Sequence, residues 1–366
     1  MPETVPPPPL FSVVVVACQT APWLPAALAS VEAQTFRGWE GIVYVEESTD
    51  GTLDIAREAA ARDSRFRVVS APKSGSGGVP RNYGIRHAAG RYLVFLDGDD
   101  WLAPSMLEEL ARKLDETGEV DILAFAAVPT TGGEVDWERG PRLTNFGPDD
   151  IRSVVTGFDA LRSMQRRGVR FLGYSWLNAF RTEFLRGGNL YQTPRLRLQD
   201  YEHFHRSLFA ALHVAYVDKA FYAYRCRPGS ATNDISPTAF LDAACQIRSL
   251  MDFVHDHPVP PDVLSFLANQ WLGFLHWMLF HPATSRHHSR AAHDRAFAIL
   301  AARGGLRRFR WLTRRASLPR KLAWPFFYLA AVGIPLPARL FFRCLYYPLV
   351  SLRNNRLHSG GMPPAT

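Results

Sequence analysis

The sequence predicts an α/β fold wound around a parallel sheet, and two observations carry that expectation. Within the first hundred residues, short β-branched runs alternate with segments of helical periodicity, joined by brief connections. The polar clusters of this region follow the ends of the strand-like runs, where open α/β sheets bind ligands.

Residues 11–18 form the first strand, an apolar run of the kind covered on both faces. Pro22, Trp23, Leu24, Ala27, Leu28 and Val31 then recur at helical spacing. A second strand covers residues 41–45, a turn covers 48–51, and Thr52 stands where it would cap a helix reaching residue 61. A third strand at 67–70, a Gly- and Ser-rich loop at 73–78 and a helix at 79–89 closed by Gly90 follow. The fourth strand, residues 92–96, runs into Asp97, Asp99 and Asp100, and the chain from Trp101 onward reads as helix. Residues 129–150 are loop-like. Helix resumes at 158–166 and 201–212, with a short strand at 213–218 and an aromatic segment at 221–224. Beyond Pro237 the chain reads as helical.

At 366 residues, with 47% hydrophobic and 21% charged side chains, the chain can bury a sizeable core. Cys18, Cys226, Cys245 and Cys344 have no paired spacing, which fits a reducing cytosol. Residues 1–10 form a Pro-rich, disordered N-terminus without the features of a signal peptide. The net charge of +8 is unevenly spread. From Arg295 onward there are 13 Lys and Arg and no acidic residue, which leaves 29 basic against 34 acidic side chains before it. An acidic body therefore carries a basic tail.

Three aspartates at a strand end repel one another, and a divalent cation such as Mn²⁺ or Mg²⁺ resolves that conflict through hard oxygen ligands. A solvated turn followed by a helix cap is the competing reading of the same residues. The surrounding blocks bear on the choice. SVVVV at 12–16, EESTDGT at 46–52, GVPRNYG at 78–84 and FLDGDDWL at 95–102 stand in the order and spacing of the family 2 glycosyltransferases, which this chain resembles. The likeness continues more weakly to about residue 234, through residues 176–185, 199–200 and 222–233.

The resemblance implies a GT-A-type, Rossmann-like mixed sheet with flanking helices, followed by a helical basic C-terminal region. It implies a glycosyltransferase domain over residues 11–235, with a nucleotide-sugar half at 11–128 and an acceptor half at 129–235. A helical extension at 236–305 and a basic aromatic tail at 306–366 follow. Matched by position, Val16, Cys18, Glu46, Arg81, Asn82, Asp97, Asp99 and Arg225 line the nucleotide-sugar donor. Asp99 and Asp100 hold the metal of the DXD motif. Asp200 is the catalytic base, with Glu202 as its rival. A helix cap is the plain reading of Asp200, and a surface cation that of Arg81. Two departures bear on the nucleotide, for which UDP is the family default: Val45-Glu46 replaces the usual Asp-Asp pair, and Cys18-Gln19 replaces a Tyr-Asn pair, so an aromatic that would stack on the base is absent. A nucleotidyltransferase would need a Gly-rich basic loop after the first strand, where Gln19, Thr20, Ala21 and Pro22 stand instead. A non-catalytic binding protein is the third reading.

His203 and His205 lie on different sides of a helix, which disfavours a shared metal. His281, His287, His288 and His293 read as solvated surface. In the tail, cation clusters from Arg307 to Lys321 precede residues 322–338, a charge-free stretch interrupted by Pro325, Pro335 and Pro337. That pattern suits a segment lying on an anionic membrane surface, with a re-entrant hairpin or a packed helical cap as alternatives. The expectation is a cytoplasmic protein, peripheral on the inner face of the cell membrane, acting on a saccharide or lipid-linked acceptor and not on nucleic acid.

Overall fold

The computed structural model describes residues 7–147, 153–168, 171–227, 239–280, 295 and 298–300. Residues 1–6, the tail at 306–366 and the histidines between 281 and 293 lie outside the described residues. So do residues 228–234 at the end of the weaker likeness. The chain divides into two compact units, Met1–Asp234 and Ile235–Thr366.

The first unit opens as alternation predicts: β1 (Phe11–Ala17), α1 (Leu24–Glu32), β2 (Trp39–Glu46), α2 (Thr52–Arg62), β3 (Phe66–Ala71), α3 (Gly78–His87) and β4 (Tyr92–Asp97). Val13, Val14 and Val15 are fully buried, as a strand covered on both faces requires. Each such side chain contributes roughly 1.5–3 kcal/mol on burial. Helix α3 packs so closely on β1 that a Cβ on Gly84 would sit 2.5 Å from the Val14 side chain, so glycine is the residue that fits there. Gly51 stands at the N-cap of α2 without a side-chain cap, and the preceding Asp50 holds the helix start, its Oδ1 accepting the Thr52 N–H at 3.2 Å. Thr52 is the helix's first residue, one place beyond the capping position. The N-terminal segment is already held at Pro9 and Leu10, whose carbonyls accept the N–H groups of Arg91 and Tyr92.

After β4 the order departs from simple alternation: β5 (Trp101–Leu102), α4 (Met106–Thr117), β6 (Ile122–Thr130), α5 (Gly157–Arg167), β7 (Asn178–Arg181), α6 (Thr182–Gly187), α7 (Gln199–Ala210) and β8 (Val214–Arg225). Trp101 thus begins a two-residue strand paired antiparallel with β8, and helix starts only at Met106. The short strand and aromatic segment expected at 213–224 are one continuous strand, β8.

All eight strands form one mixed sheet in the order β3-β2-β1-β4-β7-β6-β8-β5. β1, β2, β3 and β4 pair in parallel, whereas β7 runs antiparallel to both β4 and β6. Strand β5 lies four places from β4 in this order, about 19 Å across a flat sheet at about 4.8 Å per step. Yet Asp97 and Trp101 are joined by a segment that reaches at most about 14 Å when extended. The sheet therefore curls, and the acidic turn spans the gap between the inner strand β4 and the edge strand β5.

In the second unit, α8 (Ala239–Asp256) and α9 (Pro261–Phe280) pack together. They bury Ile247, Leu250, Met251 and Val254 on one helix and Val263, Leu267, Trp271 and Leu275 on the other, at helical spacing. Among the described residues no helix is long and apolar enough to cross a membrane.

Candidate active site

The site grows from the end of β4. Asp97 stands beside Val16 in the parallel register of β1 and β4, and the Gly98 N–H donates to the Val16 carbonyl at 2.8 Å. The chain then turns tightly, with the Asp100 N–H donating to the Asp97 carbonyl at 3.0 Å. This turn gives the three carboxylates three different surroundings.

Asp100 is 2% exposed. Its Oδ2 accepts the Tyr222 hydroxyl at 2.7 Å, and its Oδ1 accepts the Arg225 N–H at 2.7 Å. The Tyr222 oxygen in turn accepts the Asp97 N–H at 3.1 Å. Asp100 thus ties the turn to β8. Burial and the neighbouring Asp99 and Asp97 carboxylates push its carboxyl well above the usual range.

Asp97 accepts the Arg81 Nη2 at 2.5 Å. Enclosure by the cleft raises its carboxyl to about 6, Arg81 pulls the other way, and Asp99 and Asp200 add to the rise. Asp99 is braced by two arginines of the β8 end. Its carbonyl accepts the Arg225 Nε at 2.8 Å, and its Oδ2 accepts the Arg227 Nε at 2.8 Å. Each guanidinium lies over an indole, Arg225 over Trp101 at 4.6 Å and Arg227 over Trp23 at 4.1 Å. Asp99 Oδ1 and Asp97 Oδ2 have no hydrogen-bond partner among the described residues.

The acceptor half brings Asp200 to the same place. Helix α7 begins at Gln199, two residues earlier than its periodicity suggests, with Leu198 at the N-cap in a left-handed conformation. Asp200 does not cap this helix: no side chain does. Its Oδ1 accepts the Arg81 Nη1 at 3.3 Å, leaving Oδ2 without a partner among the described residues. Glu202, the rival base, is 1% exposed and paired with Arg206 at 2.6 Å. Arg81 and Asn82 lie side by side on α3 with their polar groups engaged elsewhere than in open cleft. Arg81 spans Asp97 and Asp200, and the Asn82 amide exchanges two 2.7 Å bonds with the Gln192 backbone.

The remaining wall lies at the ends of β1 and β2. Glu46 is buried, and its Oε1 accepts both the N–H and the hydroxyl of Ser74. Gln19 joins the Cys18 side to the following turn through Ser48 and Thr49, and the Cys18 thiol faces the Glu47 carbonyl at 3.9 Å. His203 and His205 are packing groups. His203 bonds Ser175 and the Leu190 carbonyl, His205 bonds the Tyr201 carbonyl, and burial lowers both rings to about 3. Tyr222, which braces the acidic turn, carried no separate signal in the sequence, and neither did Ser74.

The donor set suits a hard cation in one way only. Among the described residues no three His, Cys, Asp or Glu side chains could together hold a metal ion. Asp99 nonetheless offers a free, partly exposed carboxylate oxygen. Mg²⁺ commonly binds through one or two carboxylates and completes its shell with substrate phosphates and water. The residues therefore fit a cation that arrives with a diphosphate.

A curled mixed sheet with flanking helices, carrying an acidic turn that faces a carboxylate from its second half, is the architecture of the GT-A fold. Residues 12–175 match the profile described as glycosyl transferase family 2. The putative glycosyltransferase EpsH of Bacillus subtilis is 28% identical over 59% of this chain and 61% of its own length. The putative teichuronic acid biosynthesis glycosyltransferase TuaG of the same organism is 29% identical over 41% of this chain and 60% of its own. The chain thus spans about three fifths of these curated relatives. The crystal structure of S. aureus TarS 1–349 in complex with UDP-GlcNAc shares the fold, with a TM-score of 0.69 at 18% identity over 91% of both chains.

Proposed function

We propose that this chain is an inverting, metal-dependent glycosyltransferase. It moves a hexosyl or related sugar from a nucleotide-diphospho-sugar, UDP-linked by default, to a hydroxyl of a saccharide or lipid-linked acceptor. One observation carries the reading: Asp200 presents a free carboxylate oxygen within the same ion-pair network as the acidic turn. A relative named for teichuronic acid biosynthesis supports a cell-envelope acceptor.

In this reading Val16, Cys18 and Glu46 form the nucleotide wall, and Asp99 faces the diphosphate. Asp200 Oδ2 takes the proton of the acceptor hydroxyl as its oxygen attacks the anomeric carbon from the face opposite the leaving group. The bond to the phosphate oxygen breaks, and the nucleoside diphosphate leaves with the electron pair. Arg225, beside Asp99, meets the charge that grows on it. Mn²⁺ or Mg²⁺ held by Asp99 supplies Lewis-acid stabilisation of the same charge. Asp100, with both oxygens engaged, braces the turn.

A panel of nucleotide sugars in thermal shift, with Mn²⁺ and with EDTA, tests the proposal. Stabilisation by one donor, present with Mn²⁺ and abolished by EDTA, is the expected result. No response to any donor in either condition would remove the donor site from the reading. For residues 306–366 we propose contact with an anionic membrane, supported by their basic and aromatic content. Flotation of the full chain, but not of residues 1–305, on anionic liposomes is expected, and equal flotation of both sinks it.

A further inference from the structure

Among the described residues, Arg81 is the one that touches a carboxylate from each half of the domain. Its guanidinium is 6% exposed, with Nη2 at 2.5 Å from Asp97 Oδ1 and Nη1 at 3.3 Å from Asp200 Oδ1. The Phe95 ring lies 5.8 Å beneath it, and its Nε has no hydrogen-bond partner. Gly77 makes room on the other side: a Cβ there would sit 2.5 Å from Nη1 and 3.1 Å from the Gln199 amide nitrogen. The backbone at Gly77 is helical, so it is the close approach of the guanidinium, and not the glycine's own conformation, that a side chain there would disturb.

We propose that Arg81 is a positioning residue, which orients the Asp200 base from the donor side and does not itself bind the donor phosphates. A general base works best when a third group fixes its orientation while one of its atoms stays free for the proton. Arg81 holds Oδ1 of Asp200 and leaves Oδ2 to the acceptor. The other arm is anchored on Asp97, the residue that opens the acidic turn. Arg81 therefore sets the base against the donor site across two elements that are far apart in sequence, α3 and α7. A planar fork can satisfy both carboxylates at once, whereas an ammonium is a single point charge.

This inference rests on the glycosyltransferase reading for Asp200, and the test separates the two. Donor binding by calorimetry with Mn²⁺, steady-state kinetics and crystal structures are compared for the wild type, Arg81→Lys and Gly77→Ala. Gly77→Ala displaces the guanidinium without removing a charge, so it remains informative should Arg81→Lys fold poorly. Both variants are expected to lose about 10²-fold in kcat, the scale of an ångström misplacement of a reacting group. Donor Kd should stay within about threefold, well under the shift from losing a charged phosphate contact. Weakened donor binding with an unchanged kcat would overturn the inference and make Arg81 a donor ligand. Should the wild type bind no nucleotide sugar, the functional reading falls by itself. The structure of Gly77→Ala then decides: an Asp200 carboxylate displaced from its wild-type position upholds the clasp, and an unmoved one overturns it.

Discussion

The donor half and the acceptor half hold their site residues by different means. In the donor half much of the shaping is local. Asp50 accepts the Thr52 N–H at the start of α2, Ser48 bonds the Glu46 carbonyl, and the acidic turn closes on itself from Asp97 to Asp100. In the acceptor half the decisive contacts reach back across the chain. Asp200 meets Arg81 over 119 residues, Gln192 meets Asn82 over 110, and Tyr222 meets Asp100 over 122. Local contacts leave motifs in a sequence. Long contacts leave only single residues whose meaning depends on a distant partner.

The sharpest way to break that comparison is at its catalytic end. Asp200→Asn keeps the shape but removes the base, and kcat should fall by about 10²–10⁴-fold with nucleotide binding intact. If the loss appeared only in KM, the acceptor half would be a binding surface. Asn82→Ala strips the buried Gln192 N–H and carbonyl of their partners, at roughly 3 kcal/mol of stability in urea unfolding. A loss below about 1 kcal/mol would mean that the long contacts are incidental to holding the halves.

The buried histidines sharpen the comparison through pH. Folding lowers the His205 ring from 6.5 to about 3, so the unfolded state binds a proton that the folded state does not between those values. Its contribution is neutral above pH 6.5 and destabilising as pH falls below it, by about 1.4 kcal/mol per pH unit. His205→Phe should therefore lose stability less steeply between pH 6.5 and 5 than the wild type, and matching slopes would contradict burial of a neutral ring. The smallest effect is local: Asp50→Ala should cost about 1 kcal/mol, the usual scale of a side-chain bond at a helix start. Thermal unfolding would register it, and a cost equal to that of Asn82→Ala would erase the contrast between the halves.

The same distinction explains what could be read from the residues alone. The strands β1 to β4 and the helices between them follow from periodicity, because each carries its own apolar pattern, even where the partner is distant, as β4 is for β1. Strand β5 was hidden, since Trp101 and Leu102 join the sheet only through β8. Strands β6 and β7 lacked a signal of their own. Ile122–Thr130 is alanine-rich without a two-residue alternation, and Asn178–Arg181 is four residues long. The acidic turn was legible as a site. Which of its carboxylates stays open was not, because Asp100 is closed by Tyr222 and the Arg225 backbone, both more than a hundred residues away.

The curl of the sheet gives the acidic turn a second standing. Three residues between β4 and β5 bridge an inner strand and an edge strand that the order sets four places apart. The turn is thus a clasp on a bracelet, and its length matters independently of its chemistry. The contacts of Asp99 and Asp100 fix their identities, and the closure separately fixes the number of residues: an inserted residue slackens it and moves β5 along β8. Such a loop is bound in count as well as in composition, so an insertion that keeps both aspartates should still disturb the site.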